Sequence, residues 1–281
     1  MGTSLLVHEA DDNAEWRSNR FTTNQFLERQ ILCGRGISPI FSVFGVFIYL
    51  FRVDWLHAAD LGVAADFLGN LFHMLLPKMA GNTRDQRVQC LWEHMQKFYA
   101  DNPHVLDRMD NFLYKHIDSG SSTLPPKLKA NGACTRALVP FGNQMARMFL
   151  SDAIPIEQAA KAAAHHLLQC YQSLSHTSAG LKADVMYESS KQFANHYYAI
   201  FRATGDGVAW RVKPKMHCFL EVCSEGTDPN LFWCYRDEDF GGTVAKQCKM
   251  RGSWNQYKSF SRHGLEMFCI QNDPPRLVTA S

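Results

Sequence analysis

Residues 55–77, WLHAADLGVAADFLGNLFHMLLP, decide how the chain is read. Val63, Phe67, Leu71 and Leu75 recur every four residues, with Ala64, Leu68, Phe72 and Leu76 beside them. Four-residue recurrence brings side chains onto one side of a helix, so this is a wide apolar stripe that must be buried. Pro77 has no backbone N–H to continue the ladder and stops it.

Helical patterns follow on the C-terminal side. Thr83-x-x-Gln86 is a capping-box signature, and the helix it opens buries Val88, Leu91, Trp92, Met95 and Phe98 before Asp101-Asn102-Pro103 ends it. Residues 118–126, DSGSSTLPP, read as a loop. Three further stripes come next: Leu138, Phe141, Met145 and Phe149; then Ile156 to Leu174, with Pro155 in the first turn; then Met186, Phe193, Tyr197 and Ile200, ended by Gly205 and Gly207. Two short helical patterns occupy 213–250. On the N-terminal side, Ile37 to Val53 is rich in Phe, Val, Ile and Tyr, which predicts an extended buried strand. The expected organisation is a polar segment over 1–36, a mainly helical globular domain over 37–250, and a basic, aromatic segment over 251–281.

Composition bounds the function classes. Across 281 residues, 46% are hydrophobic and 20% charged, which is globular rather than disordered composition. The formal net charge of +2 demands no nucleic-acid or membrane partner, so such a partner must be read from a local patch. The start, Met1 to Trp16, is acidic and lacks a basic-then-apolar leader. Ile40 to Phe51 is too short to cross a bilayer, and no membrane association is expected. Nine cysteines without framework spacing suit reduced thiols in the nucleus or cytosol. No P-loop, Rossmann or G-x-S-x-G pattern is present, so no small-molecule cofactor is expected. His217, Cys218, Cys223 and Cys234 do not follow a standard zinc spacing.

Two islands could carry chemistry. In the first, Asp54 and His57 stand about one helical turn apart, followed by Asp60-Leu61-Gly62-Val63. Asp101-x-x-His104 has the same spacing, and with 12 histidines about one such match arises by chance. Asp54 also reads as a helix N-cap and His57 as a core histidine. The second island is Lys213-Pro-Lys215-Met-His217, followed by Trp233-Cys-Tyr235-Arg-Asp237-Glu238-Asp239. Clustered carboxylates are what hard divalent cations such as Mg²⁺ require, although acids also favour the first turn of a solvated helix.

The two islands together, in this order, resemble transposases of the CACTA type and their relatives. The phrase Asp54-x-x-His57 with Leu61-Gly62-Val63, then Lys215-x-His217, then Trp233 followed five residues on by Glu238, matches the family pattern. The resemblance implies a helical insertion, residues 64–212, packed on a remnant of an RNase H-like α/β sheet. It implies metal-dependent DNA cleavage and strand transfer, with Glu238 and Asp54 as catalytic Mg²⁺ ligands and His57, His217 and Asp60 supporting them. The carboxylates of Asp54 and Glu238 should then lie roughly 4–8 Å apart across one cleft. Two departures stand out. The family's Asp-x-x-His lies at or after its second catalytic Asp, and no strand-borne first Asp precedes it here, since Asp11 and Asp12 sit in a polar tail. An incomplete enzyme is therefore expected, the alternatives being a non-enzymatic helical module that binds DNA or protein, or a decayed copy.

A third feature fits DNA as a partner without requiring it, since charge runs also form ordinary solvated surface. From Gly242 to His263 there are five basic residues, Lys246, Lys249, Arg251, Lys258 and Arg262, and no acid. Trp254, Tyr257 and Phe260 interleave them. Cations there would meet phosphates and aromatic faces would stack on bases, with Arg211, Lys213 and Lys215 adding the same sign upstream.

Overall fold

The computed structural model describes residues 21–118, 120–174, 180–205, 207–235, 237–239, 241–242 and 245. The chain divides into two compact units, Met1–Trp233 and Cys234–Ser281.

The first unit is helical. Among the described residues its α-helices are α1 (Thr23–Leu32), α2 (Ala65–Leu75), α3 (Arg84–Asp101), α4 (Gly132–Phe149), α5 (Pro155–Gln172), α6 (Ala183–Thr204) and α7 (Lys215–Ser224). A π-helical segment, Leu56–Ala64, runs into α2. The expected apolar stripe is the centre of the core: Val63, Phe67, Leu71 and Leu75 are all buried. The π segment packs against α2, α4 and α7, while α5 and α6 pair along their lengths. Aromatic edges lock these layers. Phe67 meets Phe193 of α6 at 5.6 Å, and Phe72 meets Phe141 of α4 at 5.7 Å. The run Leu56–Lys78 is long and apolar enough to cross a membrane, but 83% of its most apolar stretch is buried inside this core.

Local signals explain the boundaries. The Thr83 hydroxyl accepts from the Gln86 N–H, and the Gln86 side chain accepts from the Thr83 N–H, so the capping box forms as expected. Pro155 is the first residue of α5.

The predicted strand over Ile37–Val53 is not formed. Two short 3₁₀ turns, Pro39–Ser42 and Ile48–Leu50, take its place, and Phe44 is fully exposed and Tyr49 is 66% exposed. Among the described residues there is no strand to pair with. Pro39 offers no N–H, and Gly45 turns the chain at φ +84°, so apolar content alone could not sustain a ladder. α1 lies in a stretch expected to be merely polar. Thr22 and Gln25 cap it by the same reciprocal bonds as Thr83 and Gln86.

Close approach accounts for Gly69. A Cβ there would lie 2.4 Å from the Lys127 Cα, because the 127–128 backbone runs directly over α2 and the Leu128 N–H donates to the Ala65 carbonyl at 2.9 Å. Gly69→Ala is expected to cost about 2 kcal/mol in urea unfolding, through overpacking against a backbone that cannot yield. Gly36→Ala, where a Cβ would meet nothing within 4 Å, should change stability by less than about 0.5 kcal/mol.

Candidate functional site

The first island starts where the chain enters the π segment. Asp54 is both N-cap and orienter: one carboxylate oxygen accepts the His57 N–H at 2.8 Å and meets His57 Nδ1 at 2.7 Å. A carboxylate only accepts, so His57 Nδ1 carries the proton of this contact. His57 is exposed, with 48% of its side chain in solvent, so the core-histidine reading does not hold.

Asp60, expected to support the site, is wholly buried. Arg136 of α4 donates to one oxygen at 2.8 Å and the Tyr171 hydroxyl of α5 donates to the other at 2.6 Å. The Arg136 guanidinium also lies over the Trp233 ring at 4.3 Å, and Tyr171 meets Trp55 edge-on at 5.4 Å. Asp60 thus joins the π segment to α4 and α5.

Six residues further on, Asp66 is 5% exposed and faces cations. Lys213 Nζ lies 2.8 Å and Lys127 Nζ 3.7 Å from the same carboxylate oxygen. Lys127 also donates to the Leu61 carbonyl at 2.8 Å, and Lys215 approaches that carbonyl at 3.4 Å. Burial pushes the Lys127 ammonium below the ordinary lysine range; Asp66 opposes this, and Lys215 and Lys213 add to it. Tyr197, buried beside them, is raised by burial and then by the Asp66 charge. Asn70, one turn along α2, accepts the Trp210 N–H at 2.8 Å and donates to the Asp66 and Pro126 carbonyls. Trp210 has φ +61°, a left-handed backbone rarely taken by a residue other than Gly, and its ring packs against Phe67 and Tyr197.

Gly62 lets the Lys213–His217 phrase meet the first island. Its backbone (φ −104°, ψ −110°) breaks the helix, and a Cβ there would lie 2.7 Å from the His57 carbonyl oxygen and 3.1 Å from Lys215 Cδ. The side chain of Lys215 therefore lies across Gly62, more than 150 residues away in sequence. His217, two residues further, is on α7 with Nε2 4.0 Å from Glu221. It borders a groove of about 480 Å³ together with Phe26, Tyr49, Phe51 and Arg52.

Glu238 belongs to the second unit, where it is exposed between exposed Asp237 and Asp239, and its N–H donates to the Cys234 carbonyl at 2.9 Å. The expected pairing of Asp54 with Glu238 is thus one between two units. Lys246, Lys249, Arg251, Trp254, Lys258 and Arg262 lie outside the described residues.

Comparisons with models of protein families, with curated proteins and with solved structures find no match.

Sequence reasoning singled out Asp54, His57, Lys213 and Lys215, but gave no role to Lys127. The readable signal was Asp66 itself, a charge on an otherwise apolar stripe, which requires a cation from elsewhere in the chain. Asp60→Asn would strip the partly buried Arg136 of its carboxylate and is expected to lower unfolding stability by about 3 kcal/mol. Asp54→Asn keeps a good N-cap and should cost less than about 1 kcal/mol in the same urea titration.

Proposed function

We propose that this chain is a transposable-element-derived DNA-binding protein, similar to the C-terminal part of a CACTA-type transposase and lacking a self-sufficient metal centre. One observation carries the reading: the Lys213–His217 phrase of the second island packs on the first, with Lys215 across Gly62. In this reading the first unit's helices are the insertion of an RNase H-like ancestor acting in the nucleus or cytosol.

The donor set of the first unit does not fit a Mg²⁺ pair. Two-metal phosphoryl transfer needs about three carboxylates facing one open space. Asp60 is enclosed with a guanidinium and a phenol on its oxygens, and Asp66 faces lysine ammonium groups that repel a cation. Asp54 and Glu238 remain as ligands in the ancestral scheme, with His57 and His217 orienting carboxylates or phosphates, and two carboxylates are too few.

A second reading, a protein-binding module, is favoured by the exposed Phe44, Phe47, Tyr49 and Phe51.

Fluorescence anisotropy with duplex DNA separates the two. Binding is expected at low salt and should fall steeply as salt rises. Changing Lys249, Arg251 and Lys258 together to Ala should weaken it and flatten the salt dependence. Absence of DNA binding at low salt removes the DNA reading and leaves the protein-binding and decayed-copy ones. Purified protein should show no Mg²⁺- or Mn²⁺-dependent nicking above background; nicking that disappears in Glu238→Gln would show that the metal centre is complete after all.

A further inference from the structure

The cations around Asp66 outnumber what they neutralise. Lys127 and Lys213 meet the Asp66 carboxylate and Lys215 joins Lys127 at the Leu61 carbonyl, so three ammonium groups surround one carboxylate with an excess of two positive charges. Among the described residues these ammonium groups share two acceptor atoms, one Asp66 oxygen and the Leu61 carbonyl oxygen, although each ammonium carries three donors. Lys127 and Lys213 each keep about a third of their side chain in solvent, so their remaining donors can reach a ligand.

Two further features add the same sign. Lys215 is the first residue of α7, where the helix dipole is positive. Arg211 lines the same recess and is anchored through the Thr123 carbonyl at 3.2 Å. Burial lowers the Lys127 ammonium first, and an anion would relieve the repulsion that Lys215 and Lys213 add to it.

We propose that the recess lined by Lys213 and Lys215, with Lys127 beside it on Asp66, binds a phosphoryl oxygen and, resting on the function proposed above, that its ligand is the sugar-phosphate backbone of DNA. The recess is small. Its cavity of about 10 Å³, between Val63, Asp66, Tyr197, Arg211, Lys213 and Lys215, holds one water-sized group. It takes an oxygen of a phosphate seated at its mouth and has no room for a base or sugar. A strand can thus be held by its backbone without regard to sequence.

The test titrates the full chain with inorganic pyrophosphate and, separately, with a short DNA duplex, using wild type, Lys215→Gln, Lys213→Gln/Lys215→Gln and Asp66→Asn. Lys215→Gln should weaken duplex binding about tenfold and lower the salt slope by about one, and the double variant should do more. Asp66→Asn removes the competing carboxylate and should tighten both ligands, whereas a purely structural cluster would lose binding with it. Should Asp66→Asn fail to fold, Lys215→Gln decides alone, because its described bond is the long one to Leu61. Duplex binding indifferent to these changes, with no pyrophosphate binding, overturns the recess and leaves the DNA reading standing. Pyrophosphate binding that follows the pattern without any duplex binding keeps the recess as a site for free phosphate and overturns the DNA reading.

Discussion

A carboxylate withdrawn from water must be met by cations or donors, and the run from Trp55 to Leu75 carries two on otherwise apolar surface, Asp60 and Asp66. Their partners come from distant parts of the chain. Arg136 and Tyr171 bring α4 and α5 to Asp60, while Lys127 and Lys213 bring the loop before α4 and the segment before α7 to Asp66. Apolar burial supplies most of the driving force, but it is non-directional. The two aspartates choose which elements surround the central helix and at what height along it.

The break at Gly62 works with this pairing. In an uninterrupted α-helix the Ala65 N–H would serve the Leu61 carbonyl; here it bonds to Gly62, and the Leu61 carbonyl receives two lysines. Just before the break, His57 lies on the outside while Asp60 stays in the core. An irregular turn therefore sets an exposed Asp–His pair, an enclosed carboxylate and a cationic recess within three helical turns of one another. π-helical turns inside helices frequently occur at such functional places.

How much of this could be read from the sequence depended on the range of the interaction. Contacts within about four residues were legible: the stripe of α2, the Thr83–Gln86 box, the Pro155 start and the Asp54–His57 contact. The same reasoning applied at Thr22 and Gln25 would have found α1, which polar composition concealed. The Ile37–Val53 strand failed because apolar and β-branched content expresses a preference for burial, and a ladder also needs a partner strand. Lys127 was invisible beforehand, since nothing within residues 118–126 and their neighbours shows that the loop crosses α2 at Gly69.

Trp210 narrows the evolutionary freedom of this region. Its left-handed backbone is one that glycine adopts readily, while its ring fills the space between Phe67 and Tyr197. Glycine would relax the main chain and leave a void; another large side chain would keep the strain and lose the fit. Asn70 holds the unfavourable turn in place through the Trp210 N–H, so positions 70 and 210 are constrained as a pair. Descendants of this chain can drift at either position only by changing both, and those changes would be felt one turn away, at Asp66 and its lysines.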